Sequence, residues 1–156
     1  MPAPFEIRPA LTPADLNDTA ALFEAYAARL GVDLAYQDFA TELASLPGKY
    51  APPTGALLLA HNPAPIGCVA LRALTDGACE MKRLYVAADA RGLGLGRALA
   101  EAILAEGRRL GYREMRLDTL PTMGPAIDLY RDLGFRPTAP YYDTPIRGTL
   151  FLSCTL

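Results

Sequence analysis

The sequence is poor in the side chains that much hydrolytic and metal chemistry needs. His61 is its one histidine, and Ser45 and Ser153 are its only serines. No G-x-S-x-G nucleophile turn occurs, which excludes a Ser/His/Asp triad of that kind, and one histidine cannot build a histidine-rich metal site. Cys68, Cys79 and Cys154 are odd in number and match no metal-ligand spacing. Each sits in an apolar, strand-like run, where cysteine acts as a small hydrophobe. A reduced, cytoplasmic protein is the expectation. No apolar run reaches the ~18 residues of a membrane helix. The N-terminal MPAPFEIRPA carries Glu6 and has no apolar h-region, so no secretory leader is expected.

What is present describes a chain that buries a core. Hydrophobic residues make up 51% and charged residues 21% of 156 positions, too apolar for disorder and of a length that suits one domain, 1–156. The net charge of −2 gives no general attraction to nucleic acid or to an anionic membrane. It is unevenly spread, however. Residues 1–50 carry a net of −4, whereas residues 82–97 set Lys82, Arg83, Arg91 and Arg97 against Asp89, a net of +3. A small cationic zone in an acidic chain suits a small polyanion better than a duplex.

Periodicity divides the chain. Phe5–Arg8 alternates and reads as a strand. Thr12-Pro13 opens a helix whose stripe is Leu16, Ala20, Phe23 and Ala27, and Gly31 stops it. Residues 36–46 read as a second helix, ended by Pro47-Gly48. Ala56–Ala60 and Ile66–Leu74 read as strands about a turn over 61–65, and Ala78–Val86 follows the Asp76-Gly77 turn, which predicts an antiparallel meander. Gly94–Gly111 is helical, Met115–Leu120 a strand, Pro125–Leu133 a short helix and Thr149–Leu156 a last strand. Strand, helix and strand in succession imply one parallel crossover in a mixed α/β sheet with helices on both faces.

The most informative stretch is Arg91-Gly92-Leu93-Gly94-Leu95-Gly96-Arg97, between a strand and an amphipathic helix. Amides at a helix N-terminus point outward unpaired, and glycines let an anion approach them. Arg91 and Arg97 can add charge-assisted hydrogen bonds. Phosphate or pyrophosphate binding is the expected chemistry, the plain alternative being a glycine-rich helix start. The loop has no Gly-Lys-Ser/Thr, so it is no Walker A loop. G-x-G-x-x-G also fails, because its third glycine falls on Arg97 or Leu99; Asp118 alone is like the ribose-binding acid of that fingerprint.

Arg91-x-x-Gly94-x-Gly96 is similar to the Q/R-x-x-G-x-G/A signature of the GNAT superfamily of acyl-CoA-dependent N-acetyltransferases. Leu84-Tyr85-Val86 resembles the family's strand end before a short acidic loop, and Ala126-Ile127-Asp128-Leu129-Tyr130-Arg131-Asp132-Leu133-Gly134-Phe135 resembles its A-x-x-L-Y-x-x-x-G-F segment. The order of the three pieces fits, over about residues 64–156. The resemblance implies a mostly antiparallel sheet with a splayed central strand pair. It also implies transfer of acetyl from acetyl-CoA to a primary amine, with a small molecule as the expected acceptor, CoA as product and direct attack in a ternary complex.

Carried over by position, Leu84, Tyr85 and Val86 would pair with the pantetheine arm, and the amides of Gly92, Leu93, Gly94, Leu95, Gly96 and Arg97, with Arg91, would hold the pyrophosphate. A backbone N–H near Leu84 or Tyr85 would polarise the acetyl carbonyl. Tyr130 stands at the general-acid position; its plain alternative is an aromatic packed on a short helix. The base is open between Glu80, Asp118 and no side chain, with a salt bridge to Lys82 or Arg72 as the plain reading of Glu80. Met123 stands where many members have a cofactor-contacting Asn. In the loop 139–148, Tyr142, Asp143 and Arg147 are candidates for substrate binding, with Asp143 for an ammonium and Arg147 for a carboxylate; the tyrosines could equally pack at a sheet edge. A homodimer is an assembly the resemblance allows. A non-catalytic acyl-CoA-binding or regulatory module, and an unrelated NAD or ATP binder, are the competing readings.

Overall fold

In the computed structural model, which describes residues 4–156, chain entry is set by local chemistry. Met1–Ala3, the start of the segment read for a leader, lie outside the described residues. Strand β1 (Glu6–Pro9) leads to Thr12, which caps α1 (Pro13–Leu30): its side chain accepts from the Asp15 amide, the Asp15 carboxylate accepts from the Thr12 amide, and Pro13 fills the first turn. Gly31 ends the helix as expected.

Seven strands form one sheet in the order β1-β2-β3-β4-β5-β7-β6. Strands β2 (Ala56–Asn62), β3 (Ala64–Ala73) and β4 (Ala78–Val86) are the antiparallel meander. Helix α3 (Leu95–Arg109) then crosses to β5 (Glu114–Thr119), which runs parallel to β4. Helix α4 (Gly124–Asp132), the two-residue β6 (Arg136–Pro137) and β7 (Leu150–Thr155) complete the chain, β7 antiparallel to β5. No described helix is long and apolar enough to cross a membrane.

Strand alternation sends side chains to two cores. Leu58, Ala60, Val69, Leu71, Cys79, Met81, Met115 and Leu117 face the helical stripe Leu95, Leu99, Ile103 and Leu104 of α3. Leu57, Leu59, Cys68 and Ala70 face Leu22 and Phe23 of α1. Burying each such aliphatic side chain contributes about 1.5–3 kcal/mol. All three cysteines are free and buried.

Three local readings require correction. The expected helix over 36–46 is broken: residues 34–37 form a 3₁₀ turn, Asp38 takes the left-handed conformation (φ 56°), and only Phe39–Ala44, α2, is α-helical. The Asp38 carboxylate accepts from the Thr41 hydroxyl at 2.9 Å, so its side chain supports the break locally. The expected five-residue turn over 61–65 is also too long, because the β2–β3 pairing reaches Asn62 and Ala64, with an irregularity at Ala60/His61. Residues 136–137, not read as a strand, pair with β7 because Phe135 anchors them in the core.

The feature that shapes the site is a bulge in β4. Cys68 pairs with Tyr85 but Ala70 with Lys82, so Val69 opposes both Arg83 and Leu84. Arg83 adopts φ 62°, a conformation costing an L-residue roughly 1–2 kcal/mol. Its guanidinium makes two 2.9 Å hydrogen bonds to Glu42 and lies over the rings of Phe39 and Tyr26, at 5.1 and 5.6 Å. Burial works against this charge, but the Glu42 carboxylate outweighs it and raises the Arg83 pKa. A bulge bends its strand and increases its twist. Accordingly, β4 pairs with β5 only over Ala78–Glu80, and the two strands then part.

Candidate active site

The parting of β4 and β5 opens a cleft between them. On the α3 and α4 side it is lined by Leu84, Tyr85 and Val86 of β4, by Arg91, Gly92, Gly94, Leu95 and Gly96, and by α4, and it encloses about 410 Å³. That is within the usual range for a ligand site. Toward the α1 side it continues as a narrower pocket of about 50 Å³, with Lys82, Asp118, Tyr36 and Gln37 on its walls. Met123, Leu84, Tyr26 and Tyr130 line both parts.

The glycine loop is built for close approach. Gly92 and Gly94 hold φ 86° and 76°, and a Cβ at either would meet nothing within 4 Å, so their requirement is conformational. Gly94 is the N-cap of α3 and supplies no capping side chain, and the first intrahelical bond there is Ala98 N–H to Gly94 C=O. The amides before Ala98 are therefore the uncapped donors of the helix start. A Cβ on Gly96 would come no nearer than 3.8 Å to Val86 and 3.9 Å to Leu129, leaving an open face above the helix start. These donors fit a pyrophosphate. Arg91 donates to the Val86 carbonyl at 3.1 Å and lines the cleft. Leu93 and Arg97 flank it: Leu93 is exposed, and Arg97 reaches Glu101 at 3.5 Å and Asp132 at 3.9 Å.

The cationic zone of residues 82–97 is split by the bulge. Arg91 and Arg97 remain at the loop, whereas Arg83 is turned to Glu42 and Lys82 to Gln37, on the α1 and α2 face.

Tyr130 reaches the cleft because α4 is held by its own ends. Leu129 and Ala126 line the cleft, Gly134 turns the chain at φ 102°, and Phe135 fills the core edge-on to Tyr130 at 5.8 Å. The Tyr130 ring is buried where its position lines both parts of the cleft. Burial, then the neighbouring Tyr26 and Asp118 charges, push its pKa up, so the phenol holds its proton.

The two acids kept open as bases lie in different settings. Asp118, on β5, lines the narrow pocket and accepts from the Tyr142 hydroxyl. Glu80 is fully buried and lines neither part of the cleft. Its Oε1 accepts from Arg72 Nε at 2.7 Å and its Oε2 from the Tyr141 hydroxyl at 2.6 Å. This is the Arg72 salt bridge foreseen as its plain role. Arg72 is its cross-strand partner in the β3–β4 register, which explains the pairing.

The substrate candidates separate as well. Tyr142 is drawn in by Asp118, and Tyr141 and Tyr142 both pack edge-on against Phe151. Asp143 and Arg147 are exposed and line neither part of the cleft. The sequence reading missed Tyr26, Tyr36, Gln37 and Lys82. Tyr26 lies one position off the apolar stripe of α1, a faint signal; the others come together only through the fold.

Comparison with known proteins agrees with this geometry. The profile of the Acetyltransferase (GNAT) family matches residues 19–135. An uncharacterized N-acetyltransferase of Schizosaccharomyces pombe is 42% identical over 155 residues, covering 97% of this chain and 94% of that protein. An uncharacterized N-acetyltransferase of Dictyostelium discoideum is 28% identical over a gapped alignment of 186 positions, covering 80% of this chain and 86% of that protein. A solved GNAT-family acetyltransferase of Staphylococcus aureus, 17% identical, shares the fold with a TM-score of 0.80 over 97% of this chain and 98% of that one. The glycine loop, the splayed strands and these likenesses converge: the chain belongs to the GNAT family of N-acetyltransferases, whose usual cosubstrate is an acyl-CoA.

Proposed function

We propose that this protein transfers acetyl from acetyl-CoA to the primary amine of a small molecule by direct attack within a ternary complex. The observation that carries the reading is the continuity of the cleft. One opening joins the uncapped α3 amides, the unpaired edge of β4, the Tyr130 position and the Asp118 pocket.

Acetyl-CoA would supply an activated thioester. The amides from Gly92 to Arg97 hold its pyrophosphate, and the backbone of Leu84–Val86 receives the pantetheine arm where β5 no longer pairs. A backbone N–H beside the Arg83 bulge polarises the acetyl carbonyl. Met123 lines this region in place of a polar side chain, so the cofactor contact there is apolar.

The protons have two carriers. An alkylamine has a pKa near ~10 and must lose a proton to attack. Asp118 faces the acceptor pocket and accepts that proton directly or through a water; Tyr142 holds its carboxylate in place. Glu80 is committed to Arg72 and Tyr141 and serves the scaffold. Tyr130 keeps its proton and donates it to the leaving thiolate, whose conjugate thiol has a pKa near ~8.5. The free, buried cysteines suit a reducing compartment, and we assign the protein to the cytoplasm.

Steady-state kinetics with varied acetyl-CoA and amine tests the reaction order. Intersecting double-reciprocal lines are expected. Parallel lines, the mark of an acetyl-enzyme, would overturn direct attack.

A further inference from the structure

The narrow pocket holds one acid and one base without a salt-bridge partner among the described residues. Lys82 lines it, and its Nζ donates to the neutral Oε1 of Gln37 at 3.0 Å. The acids nearby are already engaged. Glu80, on the same face of β4, is held by Arg72 and Tyr141, and Glu42 by Arg83. Asp118 lies across the pocket and accepts from Tyr142. Burial lowers the Lys82 pKa, opposed by the charges of Glu80 and Asp118, as expected for an ammonium drawn from water without a close counter-ion.

A half-buried cation whose one hydrogen-bond partner is a neutral amide has room for an anion. Lys82 has three N–H bonds and spends one on Gln37, so two remain. Gln37 fixes the geometry, because its Nε2 donates to the Tyr36 hydroxyl at 3.0 Å. Opposite charges on two walls of a pocket of about 50 Å³ select a short, dipolar head group. They disfavour a polyamine, whose second ammonium would meet Lys82.

We propose that the acceptor is an amino carboxylate, with its amine facing Asp118 and its carboxylate held by Lys82. The assignment rests on the acetyltransferase reading of the same cleft, and it gives the carboxylate to Lys82 rather than to the exposed Arg147. Specificity would then come from β4, the strand that also shapes the cosubstrate cleft.

The test pairs each of a set of amino acids with its methyl ester and its decarboxylated amine. Turnover is read by CoA release, and equilibrium binding to the CoA-loaded enzyme by calorimetry. The wild type is expected to prefer the carboxylate by at least tenfold in kcat/KM. K82M should cut that preference by at least tenfold, mainly through KM, and K82R should restore part of it. Wild-type enzyme that uses the ester or amine as well as the carboxylate, or K82M that lowers both alike, would overturn the proposal. So would acetyl-CoA binding with neither binding nor turnover of any amino carboxylate. Failure to bind acetyl-CoA at all would instead overturn the acetyltransferase reading.

Discussion

The two ends of the cleft are recognised by different means. The cosubstrate end uses backbone: amides at the start of α3, glycines that expose them, and a strand edge freed when β4 leaves β5. The acceptor end uses side chains gathered from α1, the 34–37 turn, β4, β5 and the loop after β6. A backbone site demands glycine and helix-start chemistry within seven consecutive residues, 91–97, and so leaves a continuous mark in the sequence. A side-chain site leaves single letters far apart. Gln37 and Lys82 are 45 positions apart and meet only after the sheet is built.

Substitutions at each end sharpen this contrast. The largest effect is expected from Gly96→Glu at the backbone end. Its Cβ meets Val86 and Leu129 only at ordinary contact distance, 3.8 and 3.9 Å, so the fold and thermal midpoint should hold, yet the carboxylate fills the anion niche. Acetyl-CoA affinity should fall about 100-fold or more by calorimetry. Retained affinity would remove the pyrophosphate from this loop.

Tyr130→Phe is next. With the phenol gone, kcat should fall about 10²-fold while acetyl-CoA affinity stays the same, as general-acid contributions run. Unchanged kcat would remove Tyr130 from the acid role.

Asp118→Asn and Glu80→Gln should behave differently, although both change one acid on neighbouring strands. Asp118→Asn is expected to lower kcat by about tenfold or more with the denaturation midpoint little changed. Glu80→Gln breaks a buried ion pair and should cost about 3 kcal/mol of stability in chemical denaturation. The reverse pattern would return the base to Glu80.

Arg97→Ala should have the smallest effect. The side chain is half exposed and only loosely paired, so acetyl-CoA affinity should fall a few-fold at low salt, and the difference should vanish as salt screens it.

The fold was legible wherever periodicity was strong. The bounds of β4 follow from the run ACEMKRLYV, and α1 from Thr12, Pro13 and Gly31. Residues 36–46 misled because one left-handed residue, Asp38, breaks an otherwise helical pattern. The two-residue β6 has no pattern to read. Alternation placed Glu80 and Lys82 on one face, but not Arg72 opposite Glu80; that needs the β3–β4 register. Nor does alternation foresee that Lys82 and Arg83, adjacent in sequence, both turn toward the α1 and α2 face. The positive φ of Arg83 permits it, and Glu42, far away in sequence, holds it.

The central claim is that acetyl-CoA occupies the cleft opened where β4 leaves β5. Calorimetric titration of the protein with acetyl-CoA, with NAD and ATP as controls, tests it most directly. Saturable one-site binding of acetyl-CoA, with no comparable heat from NAD or ATP, is the predicted result. No acetyl-CoA binding, or tighter binding of NAD or ATP, would contradict it.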